Sequence, residues 1–243
     1  MEPFNKRAFV IVASLLACGA QILYPQAVTL SSQDMQSAEV RYHDLAIVGG
    51  RGHSVDLHSA DTFPDGARGY SVGTLEEHDL TPIGPFKNEA EAQFHDLYCR
   101  AATIVIAREV SAQSILSTKN DMIFTLFQFL VTDTLKPSPD ASIGAQIEVM
   151  RFGGEVTDNG ELLRVQYAGQ VPFTSGKTYL LVLNRDAQNS SSHFFGSNRE
   201  TIPVKNGRIY PPSGSWATFV SGELLTSIHE RTNEMSATAA CGN

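Results

Sequence analysis

The chain has 243 residues, of which 42% are hydrophobic, so it can bury a core and suits one domain with additional segments. Its 26 acidic side chains outnumber its 18 basic ones, which gives a formal net charge of -8. Nucleic acids and anionic lipids bind clustered Lys and Arg side chains, and the sequence contains no such cluster. The composition therefore argues against both as main partners.

Residues 1–20 are predicted to be a signal peptide rather than part of the fold. Lys6 and Arg7 precede the apolar residues 8–17, which is the charged start and short hydrophobic middle of an export signal. This run is shorter than the roughly 20 apolar residues that a membrane helix needs. Cleavage after Ala20 would satisfy the preference for small residues. We therefore expect an exported protein of the periplasm, the extracellular space or the cell envelope.

Cys18 allows a second interpretation of this leader. The residues from Leu15 to Cys18 resemble the bacterial lipoprotein box, although Leu16 is not the usual residue two positions before the cysteine. Cys18 is therefore a lipidation candidate, and only a lipid anchor at this residue would place the protein on a membrane. The alternative is a cysteine within a discarded leader.

Both routes leave Cys99 and Cys241 as the cysteines of the mature chain. In an oxidising compartment two such residues form a candidate disulfide. The long loop that this bridge would close should stabilise the fold by about 5 kcal/mol on the chain-entropy model. Two unpaired thiols remain the alternative, because sequence alone does not give the required geometry.

Residues 21–87 are predicted to form an irregular N-terminal arm. Residues 42–48 could form one strand, which the glycines at 49, 50 and 52 would end. The residues that follow mix His, Asp, Ser, Pro and Gly without the periodicity of a helix or a strand. A segment of this length without regular structure indicates either function or disorder, so the arm wraps the folded domain or stays mobile.

Regular structure is predicted for residues 88–232, followed by a tail over 233–243. Asn88 can cap a helix over 89–98, because Glu91 has the spacing of a capping box. A second helix is expected after Ser221, with an apolar stripe that includes Leu224, Leu225 and Ile228. Between the two helices, apolar runs predict strands over 102–110, 123–132, 146–152, 177–183 and 200–204, the last continuing to 209.

The predicted strand over 123–132 is apolar on both faces. Phe127, Phe129 and Val131 alternate with Phe124, Leu126 and Leu130. A strand with two apolar faces is buried on both sides. We therefore expect the interior of a barrel on one side and a helix or the arm on the other.

The order of motifs in this region resembles a group of uncharacterised exported bacterial proteins. The motifs are Cys99 before an apolar strand, IFT at 123–125, LK at 135–136, IEV at 147–149, FGG at 152–154 and PFTSGKTYLLVL at 172–183. These proteins look like the OB barrel of the tissue inhibitors of metalloproteinases and of the netrin module. The resemblance covers about residues 99–210. It implies a mainly β fold, a five-stranded OB-like barrel with one flanking helix before it and one C-terminal helix.

Two departures limit what this resemblance implies. The inhibitors begin with a cysteine whose amine and carbonyl chelate the zinc of the target, whereas Cys99 lies well inside this chain. Direct metalloproteinase inhibition is therefore not implied. The group usually has Gly after the lysine that closes the second strand, but here Pro137 and Pro139 follow Lys136, which stiffens the next connection.

The arm contains nitrogen and oxygen donors of the kind that bind zinc: His53, Asp56, His58 and Asp61, with His43 and His78 nearby. Their spacing matches no common zinc site, and a flexible arm would not preorganise one. A solvated polar loop is favoured. We therefore assign no metal ligand, no cofactor-binding residue and no catalytic residue, and we expect no cofactor.

Three further features have simple structural interpretations. Gly153 and Gly154 follow a strand and predict a bulge or tight turn. Lys136 is interpreted as an exposed strand end. Trp216 and the segment 210–212 are more typical of packing under the final helix than of a contact surface.

The sequence is most consistent with an exported noncatalytic binding module that contacts a protein or an envelope glycan through its loops and its arm. OB barrels also bind oligonucleotides and sugars, but the acidic balance disfavours nucleic acid. The alternatives are a metal-assisted hydrolase that uses the histidines of the arm and a purely structural envelope lipoprotein.

Overall fold

The computed structural model describes residues 30–49, 54–73, 89–167, 172–184, 194–195, 201–210, 222, 225–238 and 241. Within these residues the chain forms α-helices, a short 3-10 helix and strands in two sheets. The predicted mainly β class is confirmed. The predicted leader, including Cys18, lies outside the described residues.

The regular elements follow one another along the chain in this order: α1 (Ser32–Gly49), the 3-10 helix (Leu57–Ser59), β1 (Arg68–Val72), α2 (Glu89–Arg100), β2 (Thr103–Leu116), β3 (Ile123–Lys136), β4 (Gln146–Phe152), β5 (Gly154–Asp158), β6 (Glu161–Tyr167), β7 (Thr178–Leu183), β8 (Phe194–Phe195), β9 (Thr201–Lys205), β10 (Arg208–Ile209) and α3 (Leu225–Thr238).

The larger sheet has seven strands in the order β10-β9-β7-β2-β3-β4-β8. Its centre is the antiparallel hairpin of β2 and β3, and the pairs of neighbours around it are also antiparallel, except that β4 and β8 are parallel. Among the described strands no pairing joins β10 to β8, so this sheet is open. The smaller sheet has the order β1-β6-β5, with β1 parallel to β6.

Apolar side chains fill both faces of the larger sheet. Phe129 and Val131 of β3 belong to an interior cluster with residues of β2, β4, β7 and β8. Phe124 and Leu126 belong to a cluster that α1 and the smaller sheet cover. A third cluster lies under α2 and α3. The expectation that β3 is covered on both sides is therefore confirmed.

The predicted strand over 42–48 is wrong, because these residues lie in α1. The hydroxyl of Ser31 accepts a hydrogen bond from the backbone N–H of Asp34 at 3.1 Å and donates to its carboxylate at 2.6 Å, which caps the helix. Ala38 and Tyr42, four residues apart, share one buried face. The ring of Tyr42 lies 5.8 Å from that of Phe124, so burial against the sheet stabilises the helix.

The remainder of the described arm is also ordered, in contrast to the irregular segment expected. Its strand β1 pairs in register with β6, from Arg68 with Leu163 to Val72 with Tyr167. The hairpin of β5 and β6 was not predicted. The sequence does contain a local signal for it, the dipeptide Asn159–Gly160, which favours a two-residue hairpin turn. In the turn that connects these strands the two residues adopt φ values of 50° and 82°.

Several predicted elements are shorter than the observed ones. β2 continues to Leu116 and β3 to Lys136, although their far ends are polar. In β2, Ser111 donates to Gln128 at 3.1 Å and the hydroxyls of Ser114 and Thr125 lie 2.9 Å apart, which stabilises its extended end. The end of β3 continues because it pairs with the start of β2, where Ile104 lies opposite Lys136. α3 continues past the predicted end at 232, and Ser221 and Leu224 lie outside the described residues.

Cys99, near the C-terminal end of α2, lies against Cys241. Their Sγ atoms are 2.14 Å apart and their Cα atoms 5.4 Å apart, across a sequence separation of 142 residues. This arrangement ties the C-terminal end of the chain to α2. On the same side of the sheet, Nε2 of His229 in α3 lies 2.7 Å from a carboxylate oxygen of Asp133.

No helix among the described residues is both long enough and apolar enough to cross a membrane.

Gly69→Ala should lower the free energy of unfolding by roughly 3 kcal/mol. Gly69 has a φ of 153°, and a Cβ there would lie 1.6 Å from the backbone oxygen of Arg164, so β1 would have to leave β6. Urea denaturation measures the change. Gly73→Ala is the matched control, because a Cβ at Gly73 meets none of the described atoms within 4 Å. Equal effects of the two substitutions would contradict the pairing of β1 with β6.

Replacing both Cys99 and Cys241 by Ala should lower the free energy of unfolding by about 4 kcal/mol, because the unfolded chain gains entropy. Thermal and urea denaturation of the double variant measure this loss, and reduced wild-type protein should match it. The mature protein, denatured without reductant, should take up no alkylating reagent at these residues by intact-mass measurement. Two alkylated cysteines would rule out the bridge.

Candidate functional site

A groove of about 690 Å³ lies between α1 and the turn that joins β2 to β3. Its size falls in the range of small-molecule and peptide sites, which is roughly 300–1,000 Å³. The residues that line this groove come from α1, from the segment after α1 and from the turn: Ser32, Met35, Gln36, Glu39, Val40, His43, Ser54, Thr118, Lys119, Asp121 and Met122.

The α1 wall follows from helical periodicity. Its lining residues recur at spacings of three and four, so they form one stripe along the helix. The opposite stripe carries the buried Ala38 and Tyr42. α1 is thus fixed on the core by one face and presents the other to the groove, where Val40 remains 73% exposed.

The turn wall is fixed by the buried carboxylate of Asp121. Ser117 donates to one of its oxygens at 2.8 Å, and Ser54 donates to the other. The hydroxyl of Ser117 also accepts from the backbone N–H groups of Asp121 and Met122. Tyr70 donates to the backbone oxygen of Asp121 at 2.8 Å, and burial, with the nearby charge of Asp121, raises the pKa of this tyrosine. The turn is therefore held from three directions.

Glu39 connects the two walls of the groove. One carboxylate oxygen accepts from the backbone N–H of Thr118 at 2.9 Å and from its hydroxyl at 2.6 Å. Lys119 is exposed beside this contact. The groove therefore combines apolar surface from Met35, Val40 and Met122 with charges of both signs, which suits recognition of an amphipathic partner.

His58 joins the arm to the turn between β5 and β6. Its Nδ1 lies 3.0 Å from Glu161 Oε2, and its Nε2 lies 3.0 Å from Asp158 Oδ2. Arg68 pairs with the second carboxylate oxygen of Glu161. The hydrogen bond to Glu161, followed by the contact with Asp158, raises the pKa of His58. The same bond and the charge of Arg68 lower the pKa of Glu161.

The structure does not gather the polar residues of the arm into a metal site. The two nitrogens of His58 point to opposite sides of the ring, so Asp158 and Glu161 do not converge on one ion. The carboxylate of Asp56 accepts from the backbone N–H of His58 and not from its ring. Over the described ranges, no group of three or more His, Cys, Asp or Glu side chains is arranged to hold a metal. His53 and His78 lie outside those ranges.

Lys136 is not the exposed strand end that the sequence indicated. Its ammonium group donates to the backbone oxygens of Tyr98 and Ala101, both at 2.6 Å, at the C-terminal end of α2. It also lies 4.9 Å from the ring centroid of Tyr98. Burial lowers the pKa of Lys136. The lysine thus caps α2 beside Cys99, which is a structural role.

The paired glycines form the bend between β4 and β5. Gly153 and Gly154 have φ values of 95° and 140°, and Gly153 accepts a hydrogen bond from the Thr125 hydroxyl at 2.7 Å. This arrangement agrees with the predicted turn. Trp216 and residues 211–212 lie outside the described residues, so the predicted packing of this segment stays a prediction.

The interior cluster also contains two ionisable side chains. The guanidinium group of Arg151, which is 2% exposed, lies 4.5 Å from the ring centroid of Phe173, and burial lowers its pKa to about 10. Glu109 is 4% exposed, and its Oε2 has no hydrogen-bond partner within the part of the chain that the structure describes. Neither residue was singled out from the sequence, because both occur within otherwise regular strands.

The chain matches no protein-family model and no curated protein sequence.

Lys136→Met should lower the free energy of unfolding by about 1.5 kcal/mol, because the last carbonyls of α2 lose a charged donor while the aliphatic stem remains. Denaturant unfolding measures the change. Lys177→Met is the matched control, since Lys177 is exposed at the edge of β7 and its loss should stay within about 0.5 kcal/mol. Equal losses in the two variants would contradict the capping role.

Proposed function

We propose that the protein is an exported noncatalytic binding module that contacts a protein or a cell-envelope component through the groove between α1 and the β2–β3 turn. One observation carries this proposal: the arm, expected to be irregular, builds one wall of a groove whose other wall is fixed by Asp121 and Glu39. A surface preorganised in this way loses less entropy on binding.

We further propose that the larger sheet is an OB-like barrel similar to that of the tissue inhibitors of metalloproteinases and of netrin. The five longer strands have the order β9-β7-β2-β3-β4, so closure requires β4 to meet the chain near β9. β8, which shortly precedes β9, lies along β4 and pairs Val149 with Phe194. This contact supports a partly open barrel.

The position of the groove also supports a binding role. In OB barrels the loop between the first two strands contributes to ligand binding. β2 and β3 would be those strands, and the turn that joins them forms one wall of the groove. The acidic composition favours a protein or glycan ligand over nucleic acid.

Export is part of the proposal and rests on the sequence. Lys6, Arg7 and the apolar run after them have the pattern of a signal peptide. The proximity of Cys99 and Cys241 fits an oxidising compartment, where disulfides persist. Lipidation of Cys18 is an additional proposal and would retain the protein at the envelope.

A photoreactive amino acid at Val40, in the groove, should form adducts with a distinct envelope component. The same probe at Ile143 is the control, because Ile143 is 64% exposed but lies in the loop at the opposite end of β3. Gel separation and mass spectrometry identify the adducts, and unlabelled protein should compete for them. Identical adducts from both positions would contradict a specific groove.

Filling the groove should weaken this contact. Gln36→Trp places a large side chain in the groove, so the adduct yield from Val40 should fall about tenfold. Gln33→Trp is the matched control, because Gln33 is exposed on the same helix outside the lining residues. Circular dichroism should show both variants folded. Equal yields from the two variants would count against the proposed site.

A further inference from the structure

We propose that His58 acts as a pH-dependent latch. When it is protonated it holds residues 54–59 of the arm on the β5–β6 turn, and it releases them as the pH rises. This inference rests on the proposed function, because it assigns a regulation to the same groove. The latch segment comprises residues 54–59, which lie between the β5–β6 turn and the β2–β3 turn.

The geometry around His58 favours its protonated form. Asp158 and Glu161 flank the two-residue turn and pair across the strands, so each carboxylate contacts one of the two ring nitrogens of His58. A neutral imidazole has one N–H donor, whereas an imidazolium has two. After deprotonation, one ring nitrogen would present its lone pair to a carboxylate oxygen 3.0 Å away. One of the two contacts must then open.

Two residues of the latch segment contact the β2–β3 turn. The backbone N–H of Leu57, whose side chain is fully buried, donates to the backbone oxygen of Asn120 at 2.7 Å. Ser54 lines the groove and donates to the carboxylate of Asp121. Release of His58 therefore loosens a segment that supports the turn wall.

The charges around His58 favour the imidazolium. Asp56 faces it from its own segment, Asp158 from β5 and Glu161 from β6, while Arg68 of β1 binds Glu161. The β2–β3 turn, which contacts Leu57 rather than the His58 ring, carries the carboxylate of Asp121 and the ammonium of Lys119.

These contacts determine the direction of the pH effect. The hydrogen bond to Glu161, followed by the contact with Asp158, raises the pKa of His58 above the ordinary histidine value of about 6.5. A group with a raised folded-state pKa gives its full stabilisation below its unfolded pKa, and this stabilisation is lost as the pH rises through the folded value. The latch is therefore closed in mildly acidic solution and opens on the alkaline side of the raised pKa.

Hydrogen exchange of the mature protein, read by mass spectrometry, tests the latch without any partner. After correction for intrinsic rates, protection of residues 54–59 and 117–122 should fall about tenfold between about pH 6 and about pH 8.5. His58→Gln should remove this pH dependence. His229→Gln is the matched control, because it removes another histidine–carboxylate contact, at 2.7 Å from Asp133, and should leave the response intact.

Two results would overturn the latch: protection of both segments that is constant with pH in the wild type, or a response that survives in His58→Gln. If His58→Gln does not fold, Glu161→Gln serves instead, because loss of the main acceptor should move the transition to lower pH. Nuclear magnetic resonance of the His58 ring gives its pKa directly, and a value at or below 6.5 would also contradict the latch.

The two experiments distinguish failure of the latch from failure of the proposed function. A pH-dependent exchange of residues 54–59 and 117–122, with no specific adduct from Val40, supports the latch and rejects the binding role. A specific adduct whose yield falls with rising pH in the wild type, but not in His58→Gln, supports both. A specific adduct with constant exchange supports the binding role and rejects the latch.

Discussion

The hairpin of β2 and β3 is apolar on both faces at its base and along most of β3, and the rest of the described fold covers these faces. At its base, one face joins the interior cluster, and α2 and α3 cover the other. Towards its tip, Phe124 and Leu126 face α1 and the smaller sheet. Burial of large side chains of this kind contributes roughly 1.5–3 kcal/mol each, which exceeds the weak local preferences of the arm.

The same requirement creates the candidate site. α1 has to lie over the tip of the hairpin to bury Tyr42 against Phe124 and Phe152, and this brings its opposite stripe beside the β2–β3 turn. The groove is thus a consequence of core packing rather than of a local motif. The polar contacts of Asp121 and Glu39 then fix a geometry that hydrophobic burial alone would leave variable.

Local patterns in the sequence were sufficient to predict the elements whose apolar spacing, capping residues or cysteines are recognisable without knowledge of the fold. β4 was predicted with its observed bounds, α2 began at its predicted residue, and counting made Cys99 and Cys241, whose Sγ atoms lie together, a candidate pair. α1 was missed because the apolar residues 45–48 favoured a strand, and because its local evidence is limited to a cap at Ser31 and the spacing of Ala38 and Tyr42. The parallel pairing of β1 with β6 and the contact of His58 with Glu161 have no local signature, since their partners lie far apart in the chain. Lys136 was misread for the same reason.

The pairing of Arg68 with Leu163 has a kinetic consequence. A parallel pair of strands this far apart in the chain forms only after a large loop closes, and the entropy cost of closure precedes any stabilising contact. Topologies rich in such pairs fold slowly. During synthesis the N-terminal part of the chain emerges first, so β1 is exposed long before β6 is present. During that interval the edge of β1 is open to incorrect partners, so synthesis of this protein has a vulnerable stage that ends only when the β5–β6 hairpin has formed.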